Sequence, residues 1–134
     1  MTDPDQPLLL DTAAFIFWHA DSPRLSPLAR RTMLEAPQRK VYVSAASAFE
    51  IATKVRLGKL TVPPAMLNDF AYVVEADGFR LLEIDAASAI RAGQLESAHR
   101  DPFDRLIGSQ ALALRAAVVT NDAAFADLGV DVFW

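Results

Sequence analysis

The chain contains no cysteine, which excludes disulfides, thiolate nucleophiles and cysteine-ligated zinc together and fits a reducing cytoplasm. Its two histidines, His19 and His99, are too few and too far apart for a histidine metal site. No apolar run approaches the ~20 residues that span a bilayer. The opening Met1-Thr2-Asp3-Pro4-Asp5-Gln6-Pro7 is acidic where a signal peptide would be basic. Positive charge is short as well. At a net charge of −4 the chain cannot hold a polyanion by bulk electrostatics, so such a substrate needs local basic patches or a bound metal. Internal repeats, low-complexity tracts and interdomain linkers are also missing. What remains is a 134-residue chain, 52% hydrophobic and 22% charged, which is long enough for a core and reads as one soluble domain.

Short apolar runs alternate with amphipathic segments. Leu8-Leu9-Leu10 reads as a strand buried on both faces, Val41-Tyr42-Val43 and Arg80 to Ile84 read as further strands, Ala117-Val118-Val119 as another buried strand, and Val130 to Phe133 as a last edge strand. Between them the pattern predicts helices over Ala13–Trp18 and from Ser26-Pro27 to about Ala36, with Leu28 and Met33 inward. A third follows Ser44 or Ser47 with Ala48, Ile51, Ala52 and Val55 on its apolar side, and stops at Gly58. One helix is expected from Pro63-Pro64 to near Gly78, another from Asp85 to about Ala98, and a short turn over Ala123–Asp127. Pro37 to Lys40 reads as a turn. The expected fold is α/β: a mainly parallel central sheet flanked by helices over residues 8–134, behind a polar tail over 1–7.

Asp101-Pro102-Phe103-Asp104 opens the most sharply signalled helix, with Asp101 as N-cap, Pro102 at N1 and Asp104 at N3, near the positive end of the dipole. Ile107, Ala111 and Leu114 form its inward stripe, and Asp104 lies close to that stripe. Acids also stand at the ends of other elements. Asp11 follows the first strand, Asp122 follows the Val118-Val119 strand, and Glu50 lies two turns into the helix after the second. Function in open parallel sheets collects at those carboxyl ends. Four carboxylates converging there would repel one another severely unless a hard cation were present, and all-oxygen ligation suits Mg²⁺ or Mn²⁺. Such a site can deprotonate a water for phosphoryl displacement, with one acid as general base. Each acid also has a plainer use: Asp11, Asp101 and Asp122 as helix caps, and Glu50 as the i,i+4 partner of Lys54. Asp127 and Asp131 read as surface residues.

Leu8-Leu9-Leu10-Asp11-Thr12, Ser44-Ala-Ala-Ser47-Ala-Phe-Glu50-Ile51, His99-Arg-Asp-Pro-Phe-Asp104-Arg105 and Val119-Thr120-Asn-Asp122 follow one another in the order found in PIN domains. From about Leu8 to Trp134 the chain resembles that family, and more closely the VapC-type toxins of bacterial toxin–antitoxin pairs. Its most specific stretches are Glu50 to Leu60 and Asp101 to Arg105. The resemblance implies a Mg²⁺-dependent endoribonuclease (Mn²⁺ may substitute) with Asp11, Glu50, Asp104 and Asp122 as metal ligands and catalytic acids, and Asp101 as a further candidate ligand. Thr12 and Thr120 would support that site. It also implies a structured RNA as target, a homodimer, a cognate antitoxin that inhibits it, and a bacterial cytoplasmic location.

Lys54, Arg56, Lys59 and Arg105 are the candidate RNA contacts near the acids, and Arg24, Arg30, Arg31, Arg39 and Lys40 form an earlier basic cluster. Either group could equally be a solvated charged face. His99 reads as a neighbour of the helix start, not as a general base. Phe15, Phe17 and Trp18 exceed what one short helix buries, so they suit either a dimer or antitoxin surface or core packing. Two other phosphotransfer classes fit less well. A haloacid-dehalogenase-type domain wants a second Asp where Ala13 stands, and a receiver domain wants an acidic pair at the first strand and a lysine after the last. A non-catalytic RNA- or protein-binding domain on the same fold is the alternative, and it has no use for four crowded carboxylates.

Overall fold

The computed structural model describes residues 5–35 and 40–134. Strands β1 (Leu8–Leu10), β2 (Val41–Ser44), β3 (Arg80–Leu82), β4 (Ala117–Val119) and β5 (Asp131–Phe133) form one sheet in the order β3-β2-β1-β4-β5. Every pairing is parallel. The helices are α1 (Thr12–His19), α2 (Pro27–Leu34), α3 (Ala45–Arg56), α4 (Pro64–Asn68), α5 (Phe70–Ala76), α6 (Ala86–Gln94) and α7 (Pro102–Leu114), with a 3₁₀ turn at Ala123–Leu128. No described helix is long and apolar enough to cross a membrane.

The alternation of side chains along the central strands divides the interior in two. Leu8 and Leu10 of β1, Val41 and Val43 of β2, and Ala117 and Val119 of β4 face a larger core with Phe15, Met33, Ile51, Met66 and Val74. Leu9 and Val118 face the other side, against Ile107 and Ala111 of α7 and Phe125 and Leu128 of the 3₁₀ turn. Because both faces are covered, β1 and β4 are apolar without interruption, and their polar residues appear only where they end. Those ends carry Asp11 and Thr120.

Several boundaries differ from the sequence expectation, each for a local reason. The 63–78 helix is two: Asp69 leaves helical geometry (φ −151°, ψ 66°), and its side chain caps α5 by accepting from the Tyr72 amide. Strand β3 stops at Leu82 because the Glu83 carbonyl accepts from Gln110 Nε2 (3.0 Å), while the Gln110 side-chain oxygen accepts from buried Ser44 (2.6 Å). Helix α6 ends at Gln94 instead of near Ala98 because the Arg105 guanidinium takes the carbonyls of Ala92, Gly93, Leu95, Ser97 and His99. In α2, Leu28 points outward while Ala29, Thr32 and Met33 are buried; in α3, Ala52 is exposed and Ala46, Ser47 and Ile51 face inward. The expected turn at Pro37 to Arg39 lies outside the described residues, as does the start of the tail. Within the remainder of the tail, Gln6 donates to the Arg115 carbonyl (3.2 Å) and to Asp131 (3.0 Å).

Gly108 sets how closely α7 approaches the 3₁₀ turn. A Cβ there would lie 2.7 Å from Leu128 Cδ1 and 3.3 Å from Leu128 Cβ. Gly108→Ala therefore gains helix propensity but overpacks against Leu128, and the expected balance is a loss of about 1 kcal/mol. Chemical denaturation of Gly108→Ala, Leu128→Ala and the double variant checks this. The double variant should fall short of the sum of the two losses, whereas strict additivity would mean that the two residues do not press on one another.

Candidate active site

Asp11 is the N-cap of α1, so the end of β1 and the start of α1 aim its carboxylate together. Oδ1 accepts from the Ala14 amide (2.7 Å) and Oδ2 from the Thr120 hydroxyl (2.6 Å), and the residue is 7% exposed. Burial pushes its carboxyl above the ordinary range. The bonds from Thr120 and Ala14 oppose that rise, and the charges of Glu50 and Asp122 add to it. The same Thr120 hydroxyl accepts from the Asp122 amide (3.0 Å), and Asp122 in turn caps the 3₁₀ turn through the Ala124 amide (2.9 Å). One buried side chain at the end of β4 thus places two acids.

Glu50 reaches the same region from α3, whose start is fixed by the Ser44 cap at the end of β2. Its Oε1 accepts from Thr12 (2.7 Å), and its Oε2 pairs with Lys54 (2.9 Å). Thr12 and Ser47 lie 2.9 Å apart, and because the single Thr12 proton goes to Glu50, Ser47 is the donor to Thr12. Of the sequence readings of Glu50, the structure shows the pairing with Lys54 but not the solvated setting. It forms the i,i+4 pair with Lys54, yet it is held inward by Thr12 and does not lie on a solvated face.

Asp104 lies in the first turn of α7, below the Asp101 cap, whose Oδ1 accepts from the Phe103 (2.9 Å) and Asp104 (3.1 Å) amides. Asp104 Oδ2 pairs with His99 Nε2 at 2.8 Å. Burial, reinforced by Asp101 and Asp122 and opposed by His99, raises the Asp104 carboxyl to about 6. The His99 contact was not legible from sequence. The two residues are five apart and meet because the loop before α7 folds back, held by Arg105.

Asp11, Glu50, Asp101, Asp104 and Asp122 all line one cavity of about 470 Å³, together with Thr12, Lys54, Lys59 and Asn121. The structure thus brings together all five acids and two of the four cations proposed from sequence. Arg105 is not among the lining residues; its guanidinium is spent on loop carbonyls, so it is no phosphate contact. Arg56, exposed at the end of α3, does not line the cavity either. Phe15 is fully buried in the core, which removes it from any partner surface; Phe17 and Trp18 are half-buried against that core.

The donor set suits a hard divalent cation: oxygen ligands only, from separate elements, with two carboxyls raised by burial and mutual repulsion. Among the described residues no three acids or histidines already form a metal-holding group. Lys54 on Glu50 supplies local countercharge, and His99 bonds to Asp104 at 2.8 Å.

The comparisons with known proteins agree with this fold. Residues 8–131 match the family model of the PIN domain, and the chain belongs to that family. The chain is similar to FitAcB from Neisseria gonorrhoeae (TM-score 0.65, 23% identity, 95% of this chain and 96% of that one). It is also similar to VapBC2 from Rickettsia felis, solved bound to a DNA fragment from its promoter (TM-score 0.68, 16% identity, 96% and 99% covered). A third likeness is to FitAB bound to the IR36 DNA fragment (TM-score 0.65, 18% identity, 94% and 93% covered). Among curated proteins none matches significantly.

Raised carboxyls make the site a stability cost. Between its ordinary value of 3.8 and about 6, the folded state holds the Asp104 proton more tightly than the unfolded chain does. Stability therefore falls as pH rises through that window. Asp104→Asn should be the more stable protein at pH 7.5 in metal-free buffer, by about 1 kcal/mol after solvent screening. Its advantage should shrink towards zero as pH falls to 4. Thermal melts across that range check it, and a variant less stable than the parent at pH 7.5 would contradict the assignment.

Proposed function

We propose that the chain is a metal-dependent endoribonuclease and the toxin component of a VapBC-type pair. The observation that carries this reading is the cavity at the carboxyl edge of the sheet, into which separate elements deliver Asp11, Glu50, Asp101, Asp104 and Asp122. Membership of the PIN family and the likeness to VapBC2 and FitAcB support it. The same likeness supports a cognate antitoxin as partner. A homodimer and a bacterial cytoplasmic location complete the reading.

In this reading Asp11, Glu50, Asp104 and Asp122 would hold Mg²⁺ or Mn²⁺, with Asp101 as a further ligand. Bound there, the cation supplies activation of a water and neutralisation of charge on the scissile phosphate. The chain's own residues do the rest. Thr120 fixes the Asp11 carboxylate through Oδ2, and the Ser47–Thr12 relay fixes Glu50 through Oε1. With Oδ2 paired to His99, Asp104 would offer Oδ1 to the cation. Lys54 and Lys59 meet substrate phosphates that the acids alone would repel.

The test is cleavage of a labelled mixed RNA pool by purified, partner-free protein in Mg²⁺, in Mn²⁺ and in EDTA. Cutting should require the metal and fall at least 100-fold in Asp104→Asn. Cutting that survives both EDTA and the substitution would remove this site from the chemistry. No cutting by folded protein would turn the reading to a binding domain on the same fold.

A further inference from the structure

The cavity has a second lining that the acids do not explain. Ile16 and Phe17 of α1, and Leu60 beyond the Gly58 turn that ends α3, give it an apolar wall, and Lys59 stands beside Leu60. Phe17 is held edge-on by Trp134 (ring centroids 6.2 Å apart, planes at 70°), and the Arg24 guanidinium lies over its ring at 4.7 Å. Arg24 and Lys59 are both exposed, and neither forms an ion pair among the described residues. Arg30, the other cation near α1, is by contrast committed to Asp21 at 2.9 Å and to the Ser22 carbonyl at 2.9 Å.

A hard cation has no use for an aromatic ring, an apolar wall or a planar guanidinium. A nucleotide uses all of them. Bases stack on aromatic faces and on guanidinium planes, and phosphates pair with cations that lack an internal partner. A strand approaching five carboxylates also needs positive charge close by, and Lys54 is already partly neutralised by Glu50. We infer that the Phe17–Arg24 stack, together with Lys59, is a nucleotide subsite beside the acids. It takes one unpaired base on the stacked platform and the adjoining phosphate on Lys59 and Arg24. A base can reach that platform only when it is unpaired and unstacked, so the subsite selects single-stranded RNA at one position flanking the cleaved bond. This inference rests on the nuclease reading for its substrate class, but it fails or stands separately.

The test uses the full-length, partner-free protein in Mg²⁺ and the Asp104→Asn background, so that the strand stays intact. Binding of a labelled eight-nucleotide RNA and of a hairpin duplex is followed by fluorescence anisotropy. Arg24→Ala and Phe17→Leu should each weaken binding of the single strand by about tenfold and leave the weaker duplex binding unchanged. With an abasic site walked along the RNA, one position should abolish the Phe17→Leu effect while the others preserve it. Because Phe17 is half-buried, its variant is paired with Arg24→Ala, whose exposed side chain can be removed without disturbing the core. Equal affinity in folded variants, equal losses on strand and duplex, or no RNA binding at all would overturn the subsite; the last would mark this wall as a protein-docking surface. Variant-sensitive binding without cleavage by the parent would keep the subsite and remove the nuclease. Cleavage with KM unchanged in both variants would do the reverse.

Discussion

Like charge crowded at the carboxyl edge of a parallel sheet is the constraint on which the rest of this structure turns. Asp11 sits almost wholly out of water, close enough to Glu50 and Asp122 for their charges to raise its carboxyl, while Asp101 and Asp122 do the same to Asp104. Such an arrangement persists only if each carboxylate is fixed by donors, and each is. Thr120 and the Ala14 amide hold Asp11, Thr12 and Lys54 hold Glu50, His99 holds Asp104, and helix-start amides hold Asp101 and Asp122. The caps are the economical part. The amides that need an acceptor at a helix start are the same groups that position an acid.

Further from the site, the fold acts as a brace. Arg105 closes the loop before α7 by collecting five carbonyls, and that loop carries His99 to Asp104. Gly108 lets α7 lie against Leu128, so the segments bearing Asp104 and Asp122 are packed together and cannot drift apart cheaply. Ser44, Gln110 and the Glu83 carbonyl tie β2, α7 and the chain beyond β3 into one buried polar link.

The α/β class, the strand set and the acid constellation were legible because each rests on strong local signals. Uninterrupted Leu8-Leu9-Leu10 and Ala117-Val118-Val119 announce strands covered on both sides, and acids directly after them fall at the sheet edge by topology alone. The Asp101-Pro102 start of α7 is read from capping chemistry. What was not legible depends on contacts distant in sequence. Nothing in the stretch 63–78 shows that Asp69 breaks the helix, and nothing near Ala98 shows that Arg105 unwinds the end of α6. Arg105 itself looked like a phosphate ligand because a lone arginine beside acids gives no sign of five carbonyls waiting for it. His99 on Asp104 and Arg24 on Phe17 are likewise tertiary facts. Leu28 was misplaced because one apolar residue in an eight-residue helix does not define a face, and burial went to Ala29 and Met33.

Metal binding, measured without reference to catalysis, tests the acid cavity most directly. Mn²⁺ titrated into the metal-free, partner-free protein should disappear from the free-ion electron paramagnetic resonance signal with a saturable midpoint, and Mg²⁺ should displace it. Asp11→Asn, which nearly keeps the shape and still accepts from the Ala14 amide through its one oxygen while its amide nitrogen faces Thr120, should lose that saturable site. Weak, non-saturating binding that is the same in the parent and in Asp11→Asn would contradict a cation site built from these carboxylates.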